Sequence, residues 1–268
     1  MRRYGRVVLG GTFDRLHAGH EALLRTAFRV GRTVAIGLTS RRFLAEHPKP
    51  RGRAIGSEPA RRRALAAWLG ARYPRSRWTI VPIDDRFGGS VEEGVDALVV
   101  SADTREGGRA VNRERVRRGR RPVPLVVVPL VLADDLEPLS SRRVRVGEVD
   151  RRGHRRVPIE VGLVVGTPED LGPVARGVRR AFPACRLTTL APAPTRGRPE
   201  ARTRAMANRA RGDRDLGVAV VRRPAGGWWV TLRGRRVGLD PRPVAGTRPD
   251  DLARGVVRLL RPAPPKPL

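Results

Sequence analysis

The chain has a single cysteine, Cys185, in 268 residues. A lone thiol excludes an intramolecular disulfide and any Cys-rich metal site, and it fits a reducing compartment. Lysine is nearly absent as well: Lys49 and Lys266 are the only two, and arginine supplies every other basic side chain. Apolar runs are of strand length, too short for a membrane-spanning helix, and Met1-Arg2-Arg3-Tyr4 leads straight into a strand pattern with no apolar leader. The expected location is therefore cytoplasmic, away from membranes. A Gly-rich loop ending in Gly-Lys-Ser or Gly-Lys-Thr, the phosphate cradle of many kinases, does not occur.

What is present describes a folded protein. Hydrophobic residues make up 40% and charged residues 31% of the chain, with Val, Leu and Ile runs at 124–132 and 159–165 that a disordered sequence would lack. The length favours two domains. A net charge of +30 suggests a partner rich in phosphates, yet the cations are spread through every segment and are almost all arginine. Such a bias is more simply compositional than a dedicated patch, which argues against nucleic acid as the partner while still favouring small anionic substrates.

The pattern of elements is regular. Arg6–Leu9 reads as a strand, Gly10–Asp14 as a tight loop and His17–Val30 as an amphipathic helix. Strands follow at Thr33–Thr39, Trp78–Ile83, Ala97–Ser101 and Leu125–Leu132, with helices at Ser57–Leu69, where Ser57 is the expected N-cap, and at Thr104–Arg118. Alternating strands and helices predict a Rossmann-like, doubly wound parallel α/β sheet over residues 1–150. The polar stretch Asp150–Arg156 reads as a linker. A second, smaller α/β domain over 157–268 is expected from strands at Ile159–Val165, Cys185–Leu190, Leu216–Val221 and Trp228–Leu232 and helices at Leu171–Phe182, Glu200–Arg211 and Asp250–Leu260.

One segment carries chemistry. Gly10-Gly11-Thr12-Phe13-Asp14-Arg15-Leu16-His17-Ala18-Gly19-His20 puts two histidines three apart, on one face, at the start of a helix that follows a strand and a Gly-rich loop. Free N–H groups and the positive end of the helix dipole favour phosphate there, and Gly19 leaves room for close approach to the backbone. The arrangement suits a reaction in which negative charge grows on a phosphate, so His17 and His20 are the candidate catalytic residues.

At these residues the chain resembles the class I nucleotidylyltransferases, whose loop reads Gly-x-Phe-x-x-x-His-x-Gly-His. Their second signature, Ser-Ser-Thr-x-x-Arg, is matched by Ser140-Ser141-Arg142-Arg143-Val144-Arg145, with Arg142 in place of the threonine. Within that superfamily Gly37–Ser40, Val81–Asp85, Val99–Ser101 and Val128–Asp135 make the fuller resemblance one to archaeal-type phosphopantetheine adenylyltransferases, over residues 4–150. The resemblance implies the nucleotidylyltransferase fold and transfer of AMP from ATP, with Mg²⁺, to 4'-phosphopantetheine. It also implies that His17 and His20 contact the reacting phosphates, that Gly11, Thr12, Phe13 and Gly19 line the site, and that Ser140, Ser141 and Arg145 hold the β- and γ-phosphates. Lys49 is a further candidate phosphate ligand. No metal ligand is assigned on the chain, and His47 and His154 stand in loops without partners at ligand spacing.

Residues 157–268 resemble an inosine/xanthosine triphosphatase family around Val165–Pro168, Val174–Phe182, Glu200–Ala210 and Leu216–Val218. That family carries an Asn and a Lys in the first loop and acidic residues after the middle strand; here the loop offers Glu169, Asp170 and Gly172 and the strand runs into Arg222-Arg223, so a degenerate copy is expected. Trp228 and Trp229 face opposite sides of their strand, which leaves one of them for a partner. Two alternatives stand beside the main reading: another acceptor, such as nicotinamide or flavin mononucleotide, and a non-catalytic basic protein binding nucleic acid through Arg113, Arg115, Arg117, Arg118, Arg120 and Arg121. A homo-oligomer stays open.

Overall fold

The computed structural model describes residues 4–48, 55–74, 77–192, 198–235 and 238–260. The described strands form two five-stranded sheets. The chain divides into one unit of Met1–Val131 with Leu139–Arg152 and a second of Leu132–Pro138 with Gly153–Leu268. The excursion at 132–138 is not legible from element order. It belongs to the second unit because Leu136 joins that unit's core with Ile159 and Val161, and because Asp135 accepts from Arg155 at 3.0 Å.

In the first unit β1 (Tyr4–Gly11), β2 (Gly31–Thr39), β3 (Arg77–Ile83), β4 (Ala97–Ser101) and β5 (Leu125–Val128) are parallel, in the order β3-β2-β1-β4-β5. A parallel sheet is covered on both faces, and its strands read as continuous apolar runs; β2 accordingly buries six consecutive residues, Val34 to Thr39. Strand β5 stops at Val128, short of the expected Leu132, since Pro129 has no N–H to continue the ladder. The helices are α1 (Ala18–Val30), α2 (Arg41–Glu46), α3 (Glu58–Arg72), α4 (Arg105–Arg117) and α5 (Ser141–Arg145).

Leu24 of α1, Ile36 and Leu38 of β2, and Leu65 and Leu69 of α3 are fully buried together, each contributing ~1.5–3 kcal/mol. Helix α2 was not expected; Ser40 initiates it by accepting from the Phe43 N–H at 3.1 Å. Ser57 does precede α3, but its hydroxyl makes no capping bond. Because the strand order reverses between β1 and β4, the crevice at their carboxyl ends is where such a sheet takes ligands. The Gly-rich loop leaves the sheet at that point.

The second unit contains β6 (Glu160–Val165), β7 (Arg186–Thr189), β8 (Leu216–Arg222), β9 (Trp228–Arg233) and β10 (Gly238–Val244), in the order β10-β9-β8-β6-β7. Strands β7, β6 and β8 are parallel, while β9 and β10 add on antiparallel. Helices α6 (Leu171–Ala181), α7 (Pro199–Arg211) and α8 (Pro249–Leu260) complete it. Gly162 and Gly217 are register partners on β6 and β8, and a Cβ on either would overlap the backbone of α7 at Ala210 or Ala207. Glycine at both positions is what lets α7 lie directly on the sheet.

Residues of the expected linker are bonded within each unit. Arg151 O accepts from Ala18 N at 2.9 Å within the first unit. In the second, Gly153 takes φ 99°, and the Arg155 guanidinium holds Asp135 and Asp215 at 3.0 Å each. Strand β10 is a further element that the sequence reading passed over.

Candidate active site

Helix α1 begins at Ala18, and His17 is its N-cap rather than its first residue. Ser, Thr, Asp and Asn are the usual caps; here the imidazole Nδ1 does the work, accepting from the Gly19 N–H at 3.1 Å. A ring nitrogen that accepts carries no proton, so the neutral imidazole keeps its N–H on Nε2. His17 is 5% exposed. That burial, and secondarily the neighbouring His20, lowers its pKa from 6.5 to about 3. His17 is thus a neutral donor with a fixed tautomer throughout the physiological range. The His20 ring stacks on it at 3.9 Å between centroids, 29° from parallel, and lies 5.0 Å from the ring of Phe13.

The glycines have different tasks from the one expected of Gly19. A Cβ on Gly19 would sit 3.0 and 3.1 Å from the Cε1 and Nδ1 atoms of His17, so the space above its backbone is filled by that imidazole rather than left open for a ligand. A Cβ on Gly11 would meet the Phe13 ring at 3.0 Å. Phe13 itself has φ 47°, a left-handed conformation rare for an aromatic residue, and its side chain is buried in the core with Leu24 and Ile36. Any part it takes in binding falls to its backbone.

Two residues to which the sequence reading gave no role organise this loop. Asp14 accepts from Gly56 N at 2.7 Å through one oxygen and from Arg145 Nη1 at 2.6 Å through the other. Arg61, 2% exposed, donates to Thr12 O at 2.8 Å, Thr39 O at 2.8 Å and Gly56 O at 2.9 Å. Desolvation pulls its pKa down from the usual arginine value, partly offset by Glu58 and Asp14. A signal for Arg61 was present: it lies on the buried stripe of α3 with Leu65 and Leu69 at helical spacing, though the run Arg61-Arg62-Arg63 masked which arginine faced inward.

The serine turn is brought to the same place. Ser140 caps α5, its Oγ accepting from Arg143 N at 3.4 Å, and Ser141 Oγ donates to Arg15 O at 3.3 Å. Leu139 O is 3.9 Å from where a Gly19 Cβ would stand. Arg142, in the position of the family threonine, is exposed, and Arg143 is buried against Glu148 at 2.8 Å. Arg145, expected to face phosphate, is nearly buried and pairs through Nη1 with Asp14. Lys49 lies outside the described residues.

The positions of several other named residues are also defined. Arg115, one of the six arginines of the nucleic-acid alternative, is buried and donates to the carbonyls of Arg121, Ser90 and Glu92. Arg117 and Arg118 close on Glu114 at 2.7 Å each. Of the six, Arg115 is thus withdrawn from that proposed surface, while Arg113, Arg117, Arg118 and Arg121 stay exposed. A shallow cavity of about 250 Å³ beside α4, lined by Arg86, Phe87, Arg113 and Arg117, is separate from the histidines.

A strand, a Gly-rich loop, two stacked imidazoles at a helix start and a serine turn at a sheet's switch point define an enzyme class that handles nucleotide phosphates. The cytidylyltransferase-like family model matches residues 8–147, and the chain belongs to that family. It is 41% identical over 154 residues to the phosphopantetheine adenylyltransferase of Methanothermobacter thermautotrophicus, a match covering 57% of this chain and 90% of that protein. The enzyme of the same name from Methanopyrus kandleri is 41% identical over 153 residues, 56% of this chain and 94% of the relative. A bifunctional phosphopantetheine adenylyltransferase/NTP phosphatase of Thermoplasma acidophilum is 37% identical over 176 residues, covering 65% of this chain and 52% of that protein.

Proposed function

We propose that the first unit transfers AMP from ATP to 4'-phosphopantetheine, giving dephospho-coenzyme A and pyrophosphate. The observation that carries this reading is the stacked pair His17 and His20 at the start of α1, in a chain 41% identical to phosphopantetheine adenylyltransferases. A phosphomonoester is already largely a dianion near neutral pH, with a second pKa of about 6, so no general base is needed. An oxygen of the acceptor phosphate bonds to the α-phosphorus as the bond to the β-phosphate oxygen breaks, and pyrophosphate leaves with the electron pair. What the protein supplies is position and charge stabilisation.

In this proposal His17 donates from Nε2 as a neutral group, and His20 and the Phe13 N–H add donors to oxygens that become more negative. Gly11 and Gly19 permit that packing, Thr12 fixes the loop, and Ser140, Ser141 and Arg145 hold the leaving pyrophosphate. In this reading Mg²⁺ arrives on the ATP phosphates, and no protein ligand is assigned to it. No helix among the described residues is long and apolar enough to cross a membrane; the cytoplasmic reading rests on composition.

The test is an acceptor panel with labelled ATP. Phosphopantetheine should be adenylylated, and His20→Ala should lower turnover on the order of 10²–10³-fold, as expected for one preorganised donor. Transfer to nicotinamide or flavin mononucleotide with none to phosphopantetheine would reject the acceptor named here.

For the second unit we propose a degenerate triphosphatase-like domain without hydrolytic activity. At the carboxyl ends of β6 and β8 the Asp170 carboxylate is buried, accepting from Arg222 at 3.1 and 3.2 Å and from the Trp228 indole N–H at 3.1 Å. An acidic side chain tied up in this way is not available to a metal or a water. Trp228 is thereby core, and Trp229, under the Arg223 guanidinium at 5.1 Å, is the partly exposed member of the pair. Inosine triphosphate hydrolysis by the full chain carrying His20→Ala is the check; steady turnover there would overturn the degenerate reading.

A further inference from the structure

Arg61 lies on the apolar stripe of α3, among leucines, where an aliphatic side chain would serve packing at least as well. It has no carboxylate within bonding distance among the described residues; its three closest hydrogen bonds go to backbone carbonyls from three separate segments. Thr12 O follows β1, Thr39 O ends β2, and Gly56 O precedes α3. Only a planar fork with several donors spans three such acceptors, and a lysine ammonium on a single stem does not.

The contact with Thr12 has a geometric consequence. A trans peptide is planar, so the carbonyl of one residue and the N–H of the next point in opposite directions. With Thr12 O drawn 2.8 Å from Arg61 Nη1, the Phe13 N–H must point away from Arg61. That N–H has no acceptor among the described residues, and Phe13 is held at φ 47°, a conformation that persists only where the surroundings impose it. A fixed, unsatisfied N–H two residues past the end of the central strand is a donor waiting for an anion.

We propose that Arg61 is a positioning residue for adenylyl transfer: by holding the Thr12 carbonyl it locks the Thr12–Phe13 peptide so that the Phe13 N–H is presented to the phosphate under attack. This rests on the adenylyltransferase reading above. The same guanidinium fixes Gly56 O, and Gly56 N in turn donates to Asp14, so the loop is set from both of its sides.

The experiment uses the full chain with Arg61→Lys and Arg61→Ala, and with Arg62→Met as control. Arg62 is the next residue of the same helix and donates to a single carbonyl, Ile80 O, at 2.9 Å. Both Arg61 variants should lose about 10–100-fold in kcat with KM for ATP changed less than about threefold, since the donor acts mainly on charge that develops in the transition state. Millimolar guanidinium should restore part of the activity of Arg61→Ala, ammonium should not, and Arg62→Met should keep kcat. With ¹⁵N-phenylalanine in this chain of five phenylalanines, the Phe13 amide should shift on addition of ATP in the wild type and not in Arg61→Lys. An unchanged kcat in Arg61→Lys, an amide response that survives it, or an equal loss in Arg62→Met overturns the proposal. A wild-type chain that responds to ATP at Phe13 but makes no dephospho-coenzyme A would instead reject the assigned reaction.

Discussion

Asp14 and Arg145 stand 131 residues apart in sequence and meet at 2.6 Å, with side-chain exposures of only 1% and 8%. One carboxylate thereby ties the histidine loop to the end of the serine turn. An ion pair this well buried contributes little net stability when intact, because desolvating both charges offsets their attraction. Its worth lies in fixing which way the Arg145 fork points.

Asp14→Asn keeps an oxygen for the Gly56 N–H and removes the charge that Arg145 faces. Leaving a buried guanidinium uncompensated costs about 3–5 kcal/mol, so the urea midpoint should drop, and KM for ATP should rise as the fork loses its setting. A variant with wild-type stability and KM would show that the pair is incidental.

The depressed pKa of His17 makes a signed prediction about pH. Its folded value of about 3 lies below the ordinary 6.5, so between those values the unfolded chain binds a proton that the folded chain refuses. Stability from this residue is therefore complete above pH 6.5 and is lost as pH falls toward 3. Urea unfolding at falling pH should reveal the slope, and His17→Gln should flatten it. Imidazole ¹⁵N shifts should show His17 neutral and protonated on Nε2 well below the pH at which an ordinary histidine titrates. A protonated His17 at about pH 6 would contradict the burial argument.

The sheet and the histidine loop were readable because period and motif are local: buried parallel strands announce themselves as apolar runs, and the loop is contiguous in sequence. What was hidden depends on long-range geometry. That Arg145 turns to Asp14 follows from two segments 131 residues apart, and that Arg61 rather than Arg62 or Arg63 faces inward follows from the phase of α3. The attachment of 132–138 to the second unit rests on Leu136 and on the bonds of Asp134 and Asp135 to Gly153 and Arg155. Strand β10, with Pro241 and Pro243 in its run, lacked the strand signal because proline suits only an edge, and an edge is where it lies.

Asp170 should matter to the second unit's folding rather than to transfer. It satisfies the Trp228 indole N–H, which is otherwise buried without an acceptor, and it faces the half-exposed Arg222. Asp170→Ala is expected to cost about 1–3 kcal/mol for the stranded indole donor, since Arg222 can turn to solvent. Tryptophan fluorescence during urea unfolding reports the change. Equal midpoints for Asp170→Ala and wild type would show that the carboxylate is not structural, and would reopen a ligand role for it.

Gly19 offers the sharpest separation of stability from activity. Alanine is the better helix former by up to about 1 kcal/mol, so on propensity alone Gly19→Ala in the first turn of α1 should stabilise the protein. Its Cβ, however, would stand 3.0 Å from the His17 ring, tighter than such contacts ordinarily run, and the ring is the softer partner. Displacing it stretches the 3.1 Å bond from Gly19 N to Nδ1 and unstacks His20, so turnover should fall by about 10-fold or more for a shift of a few tenths of an ångström or greater. Gly107 of α4 is the matched control, because a Cβ there meets nothing within 4 Å; Gly107→Ala should gain comparable stability with kcat intact. If Gly19→Ala turns over like Gly107→Ala, the placement of His17 does not depend on the glycine beneath it, and the imidazole is held by its own cap bond alone.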